Sequence, residues 1–218
     1  MNDNTSLPSR TQQVSSTPAL FAGFYVMHGA RAVGKTVTAI AMHYWLLAQQ
    51  FRSVYRYVLE PRSILNLQLL RPGEWDIFLD AQLKVASGGA LFLDSMTYVV
   101  SKIKEAEAFE AGSKGATYPG GLRPVDVVGA LAHDSRARQQ GVALIGTLNS
   151  ELFPVVKDLE GAVEGEIRVM GPGSVLIRDR STRRENTVDV PSQYLEAAKR
   201  SLGYSKLEGV SSSKLDTY

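Results

Sequence analysis

Large apolar residues in this chain come in short blocks separated by glycine, proline and charge, and the spacing inside the blocks switches between strand-like and helix-like. Phe24-Tyr25-Val26-Met27-His28 runs directly into glycine, the pattern of a buried strand meeting a loop. From Thr36 to Gln50, Ile40, Tyr44, Leu47 and their neighbours recur at helical spacing with no Gly or Pro between them, which predicts a helix. Tyr55-Arg56-Tyr57-Val58-Leu59 reads as the next strand, ending at Glu60 and stopped by Pro61, which cannot donate to a ladder. Trp75 to Ala86 reads as a second helix with Ile77, Phe78, Ala81 and Val85 near one face. After Gly88-Gly89, the segment Ala90-Leu91-Phe92-Leu93-Asp94 is apolar without alternation, so a strand covered on both faces and ending in a carboxylate is expected.

Glu105 to Gly121 mixes glycine with Ser, Lys and Thr, and a long mobile loop is expected there. Val125 to Gln140 reads as helix and Val142 to Thr147 as a further buried strand. Beyond Asn149 the texture changes to short strands at Glu166 to Met170, Ser174 to Arg178 and Thr187 to Val190, joined by Gly171-Pro172-Gly173 and a charged turn. Strands alternating with helices imply an α/β fold, a mostly parallel sheet flanked by helices with antiparallel strands at the C-terminal end. Residues 1–18 are polar with few large apolar side chains and read as a flexible arm, and 205–218 as a loose tail, which leaves 19–204 as one domain.

Composition changes this picture little. A chain of 218 residues that is 44% hydrophobic can bury one sizeable core. With 24 basic against 22 acidic residues the formal charge is +2, so any contact with nucleic acid must be local rather than driven by a global field. The absence of cysteine excludes disulfides, thiolate nucleophiles and cysteine zinc sites. No apolar run is long enough to span a bilayer and the N-terminus lacks the plan of a signal peptide, so a soluble protein without membrane insertion is expected.

The candidate chemistry begins at Gly29-Ala30-Arg31-Ala32-Val33-Gly34-Lys35-Thr36, followed by Val37, between the first strand and the first helix. Two glycines let the backbone wrap a phosphate, the helix N-terminus offers free N–H groups, Lys35 supplies charge to the outer phosphates, and Thr36 offers a hydroxyl to Mg2+. ATP or another nucleoside triphosphate with Mg2+ is therefore the expected ligand pair. Asp94, ending an apolar strand downstream, is placed to hold the metal through water, although a carboxylate can also simply end a strand or cap the next helix. Glu60 could polarise the attacking water, or stand as a surface glutamate before a proline turn. Asn149 could sense the terminal phosphate, or serve as a turn residue. Arg178, Arg180, Arg183 and Arg184 could stabilise transition-state charge across a subunit boundary, or form a solvated charged hairpin. Lys157, Lys114 and Arg123 are candidates for contact with nucleic-acid phosphate.

The set Gly29 to Thr36, Leu59-Glu60-Pro61, Leu93-Asp94-Ser95 and Thr147-Leu148-Asn149 resembles the RecA-like ATPases. More closely, it is similar to the hexameric RNA-packaging NTPase of the double-stranded RNA bacteriophages, the cystoviruses, over about Phe21 to Val190. Leu-Asn-Ser stands here where that family has Leu-Asn-Pro, and that family carries a substantial domain ahead of the P-loop. The resemblance implies a RecA-like core, a ring of six subunits binding nucleotide between neighbours, and transport of single-stranded RNA into a viral procapsid. It places the protein at the procapsid vertex of the virion and in the host cytoplasm. On the same resemblance Glu60 is the catalytic carboxylate, Asp94 the Mg2+-site carboxylate and Asn149 the phosphate sensor. Arg178 and one of Arg180, Arg183 or Arg184 are arginine fingers, and the segment around Lys157 grips RNA.

Alternative readings differ in what the nucleotide drives. A viral motor for double-stranded DNA, a slow ATP-binding assembly or scaffold subunit, and a small-molecule kinase share the P-loop. Stimulation by RNA or by DNA separates the first reading from the DNA motor, the scaffold subunit would have no polynucleotide track, and no acceptor-site pattern supports the kinase.

Overall fold

The computed structural model describes residues 20–57, 72–96, 134–149 and 163–203. Among them the element order is β1 (Gly23–Gly29), α1 (Lys35–Ala48), β2 (Ser53–Tyr57), α2 (Pro72–Val85), β3 (Ala90–Asp94), α3 (Asp134–Gln139), β4 (Ala143–Asn149), β5 (Gly165–Gly171), β6 (Ser174–Asp179), β7 (Glu185–Asp189) and α4 (Ser192–Ser201). The strands form one sheet in the order β2-β3-β4-β1-β5-β6-β7. The first five in that order pair in parallel, and β6 and β7 extend the sheet antiparallel. The α/β architecture expected from the alternation of elements is present, a mostly parallel sheet with the antiparallel strands at its C-terminal side.

Burial follows from position in the sheet. β1 and β3 are buried at every residue, because central parallel strands are covered on both faces. In β5 and β6 buried and open positions alternate, the period of a sheet packed on one side. Tyr25, Met27, Phe92, Ile145, Ile167 and Val175 meet Ala39, Met42 and Trp45 of α1 and Ala198 of α4 in one core. Phe24, Leu91, Leu93 and Leu144, one residue out of phase, fall on the other face, where α3 packs on β1 and β4.

Several elements depart from the expected pattern. The buried side of α1 is Thr38, Ala39, Ile40, Ala41, Met42, Trp45 and Leu46, while Leu47 is 46% exposed. The sheet and α4 both press on α1, so its covered face is wider than the Ile40-Tyr44-Leu47 stripe and turned away from Leu47. In α2 the expected face is wrong: Ile77 is 75% and Val85 53% exposed, and Leu79, Gln82 and Leu83, with Ala86 just beyond the helix, are buried instead. Two apolar stripes of equal spacing compete along this helix. The buried one carries Gln82, whose Oε1 accepts from Arg56 Nε at 2.6 Å, so a polar residue belongs to the packed side. α2 also starts earlier than expected, at Pro72, where a missing N–H costs nothing in the first turn.

β2 starts two residues early, at Ser53, because it pairs with β3 from Ser53↔Ala90 onward. No element was expected at α4, yet Pro191 precedes it, Tyr194, Leu195 and Ala198 recur at helical spacing, and Gly203 comes after it with φ +79. Of the helix expected over Val125 to Gln140, Asp134–Gln139 is present as α3, and the rest lies outside the described residues. The expected arm, the Glu105 to Gly121 loop and the C-terminal tail also lie outside them. No helix among the described residues is long and apolar enough to cross a membrane.

Candidate nucleotide-binding site

The loop between β1 and α1 is shaped by two glycines. A Cβ on Gly29 would stand 2.8 Å from Val33 Cγ1 and 2.9 Å from the Val169 carbonyl oxygen, so a side chain cannot be carried where the chain leaves β1. Gly34 has φ +93, a conformation that costs residues with a Cβ about 1–2 kcal/mol. The loop closes through Val33 N–H to the Ala30 carbonyl at 3.3 Å, and α1 begins with Thr38 N–H to the Gly34 carbonyl at 2.9 Å. Gly34 caps α1 without any side-chain bond, and the first turn holds no acidic residue. Among the described residues, the N–H groups of Lys35, Thr36 and Val37 have no backbone acceptor. A helix N-terminus of this kind presents unsatisfied donors and positive potential, which suits a phosphate.

Lys35 and Asp94 converge on this loop. Lys35 Nζ donates to the Gly29 carbonyl at 3.1 Å and the Ala30 carbonyl at 2.9 Å. Burial pulls its pKa below the usual lysine value, while the negative charge of Asp94 acts in the opposite direction. Asp94, 2% exposed, closes β3 and is followed by a cis peptide to Ser95. Its Oδ1 accepts from Thr147 Oγ1 at 2.5 Å and its Oδ2 from the Tyr55 hydroxyl at 2.9 Å. Thr36 is half-buried in the first turn of α1. Asn149 ends β4 directly opposite Gly29 in the parallel register, so it adjoins the first glycine of the loop.

The β5–β6 turn forms a wall of the same loop. Pro172 Cγ lies 3.3 Å from where a Gly34 Cβ would be, and Gly173 N–H donates to Thr38 Oγ1 at 3.0 Å. The turn is fixed on its far side as well, since the Gly173 carbonyl accepts from Val190 N–H at 2.8 Å.

The four arginines stand elsewhere. Arg178 pairs with Glu166, which pairs with Val26, three residues before Gly29 on β1. That is about 10 Å along the strands and about 10 Å across them from the end of β1. Its guanidinium donates to Glu185 at 2.5 Å and Glu166 at 2.9 Å, and these partners raise its pKa. Arg180, Arg183 and Arg184 are exposed on the β6–β7 turn, farther still from the loop of their own chain. Asp179 shapes that turn by accepting from Thr182 N–H and Ser181 Oγ, both at 2.9 Å.

The fold therefore brings together Gly29 to Val37, Asp94 and Asn149, and keeps Arg178, Arg180, Arg183 and Arg184 apart from them within one chain. Glu60, Lys114, Arg123 and Lys157 lie outside the described residues. Sequence reasoning missed Tyr55, Thr147, Thr38 and the seating of Pro172. The signal at Thr147 was a hydroxyl inside an otherwise apolar strand, and at Tyr55 a phenol on the strand beside Asp94.

Neither a protein-family model nor a curated protein sequence matches the chain. Solved structures do. A KaiC-like protein from Pyrococcus horikoshii OT3 aligns at 14% identity and TM-score 0.49, covering 78% of this chain and 91% of the other. The flagellar accessory protein FlaH from Methanocaldococcus jannaschii aligns at 10% identity and TM-score 0.45, covering 73% and 78%. The DNA-packaging ATPase of Sulfolobus turreted icosahedral virus aligns at 12% identity and TM-score 0.42, covering 78% and 98%.

Proposed function

We propose that this chain is a Mg2+-dependent nucleoside triphosphate hydrolase that works as a ring-shaped motor on single-stranded RNA. The observation that carries the nucleotide part is the meeting of uncapped N–H groups at α1, the Lys35 ammonium and the buried Asp94 carboxylate at the C-terminal ends of β1 and β3, the two strands that flank β4. The β5–β6 turn stands beside the same loop, with Pro172 against Gly34.

In this reading the N–H groups from Gly34 to Val37 hold the phosphates, and Lys35 Nζ exchanges the Gly29 and Ala30 carbonyls for phosphate oxygens. Thr36 and Asp94, a hydroxyl and a carboxylate that suit Mg2+ as hard oxygen donors, would hold the ion. When bound, Mg2+ would neutralise phosphate charge. Asn149, next to Gly29, reads the terminal phosphate, and Glu60 polarises water, a role that rests on the sequence.

The motor reading rests on the same resemblance, with one supporting placement: the arginines at the β6–β7 turn lie far from their own nucleotide loop, so they serve a neighbouring subunit if they serve catalysis at all. The partners this implies are a homo-oligomer, single-stranded RNA and a viral procapsid. The test is hydrolysis of nucleoside triphosphates with Mg2+, with and without single-stranded RNA, single-stranded DNA or duplex DNA, for the wild type, Lys35→Ala and Glu60→Gln. Stimulation by single-stranded RNA that both variants lose supports the motor. Stimulation by duplex DNA alone replaces RNA with DNA as the track, and turnover indifferent to any polynucleotide replaces the motor with an assembly subunit.

A further inference from the structure

Asp94 is gripped from both sides by hydroxyls belonging to the strands that flank its own. Tyr55 comes from β2 and reaches Oδ2 at 2.9 Å, and Thr147 comes from β4 and reaches Oδ1 at 2.5 Å. The register explains the reach. Leu93 pairs with Gly146, so Thr147 stands level with Asp94, while Tyr55 pairs with Phe92 and its long side chain spans the two residues up to the carboxylate.

Both donors are neutral. Among the described residues Asp94 makes no ion pair, and the ammonium whose charge it feels, Lys35, is bonded to loop carbonyls instead. A carboxylate 2% exposed that is hydrogen-bonded but not neutralised is costly to the fold unless it meets a cation. A carboxylate also has about four acceptor directions, of which two hydroxyls occupy two. What remains is a negative group in a single fixed orientation with spare lone pairs. Outer-shell donors of this kind set the orientation of a metal's carboxylate and the affinity of the site.

We propose that Tyr55 and Thr147 are positioning residues for Mg2+, acting through Asp94 and not touching nucleotide. The inference rests on the nucleotide-site reading above. Its consequence is specific: loss of either hydroxyl weakens the part of nucleotide binding that depends on Mg2+ and spares the part that does not.

The experiment measures equilibrium binding of a fluorescent ADP to the full chain, first in EDTA and then across a Mg2+ titration. The proteins are wild type, Tyr55→Phe, Thr147→Val, Thr147→Ser and the Tyr55→Phe/Thr147→Val pair. In EDTA all five bind ADP alike. In the titration, Tyr55→Phe and Thr147→Val each raise the half-saturating Mg2+ concentration about tenfold, the pair raises it further, and Thr147→Ser stays near wild type. Tyr55→Phe keeps the ring, so it answers the question even if Thr147→Val folds poorly. Unchanged Mg2+ titrations, or equal losses of affinity in EDTA and in Mg2+, overturn the proposal and leave the hydroxyls a role in the fold only. A wild type that binds no ADP, or binds it without regard to Mg2+, overturns the underlying site reading instead.

Discussion

The Gly173 N–H donates to Thr38 Oγ1 at 3.0 Å, and this one bond ties the β5–β6 turn to the first turn of α1, two residues past Thr36. Thr38 is fully buried and Gly173 is buried against Leu195, so no water can replace the acceptor easily. Thr38→Val keeps the shape and removes the acceptor, which leaves a buried N–H unsatisfied. Urea denaturation of Thr38→Val is expected to show a loss of about 1–3 kcal/mol, with Thr38→Ser recovering most of it.

Gly34 carries two constraints that can be separated by a control. A residue there must accept φ +93 and the Pro172 ring at 3.3 Å, whereas Gly88 has φ +72 with nothing within 4 Å of its missing Cβ. Gly88→Ala therefore reports the conformational cost alone, about 1–2 kcal/mol, and leaves ADP binding at the wild-type value. Gly34→Ala is expected to lose a similar amount of stability and, because the Cβ pushes the turn or the loop, at least about tenfold in ADP affinity, equal to about 1.4 kcal/mol. Equal ADP affinities in the two variants would show that the Pro172 wall is irrelevant to the site.

The apolar run before Gly29, the loop glycines and the strand ending in Asp94 were legible because each is encoded locally, by neighbours a few residues apart. What the residues near Asp94 do was not. Tyr55, Asp94 and Thr147 are brought together only by the β2-β3-β4 register, which depends on pairing between distant segments. The same limit explains α2: Ile77 and Leu79 belong to equally regular stripes, and only the docked helix decides that Leu79 goes in. Helix α4 was a different kind of failure, since Pro191, Leu195, Ala198 and Gly203 gave a local signal that a short, strongly polar segment masked.

Arg138 closes the end of the sheet opposite the nucleotide loop. It bonds Asp134 at 2.6 Å and Glu164, while Asp134 Oδ1 accepts the Phe24 N–H at the start of β1. Glu164 is 1% exposed, and its Oε1 has no hydrogen-bond partner among the described residues. Arg138→Ala strands that carboxylate in the interior, and thermal or urea denaturation is expected to show a loss of about 2–3 kcal/mol, below the full cost of a broken buried pair because Arg138 is 46% exposed. Adding Glu164→Gln to Arg138→Ala should return part of the loss, a coupling that a double-mutant cycle measures directly.

Asp179 gives the arginine-bearing turn a pH limit. Burial works to raise its pKa, but the Thr182 N–H, the Ser181 and Thr182 hydrogen bonds and the Tyr25 hydroxyl outweigh that and hold it below the ordinary carboxylate value. Tyr25, whose own pKa is raised by burial first, stays protonated and able to donate to Asp179 Oδ2 at 3.3 Å. A depressed carboxylate pKa in the folded state adds stability above the unfolded-state value near about pH 4, and that stability drains away as pH falls through the lower folded value. Asp179→Asn lacks this term at every pH. It should be less stable than the wild type by roughly 1–2 kcal/mol at pH 7, and the gap should narrow below about pH 4 as the wild type protonates. Denaturation midpoints of the two proteins taken from pH 7 to pH 3 decide the matter: parallel curves would mean that Asp179 shapes the Arg180 to Arg184 turn without its charge.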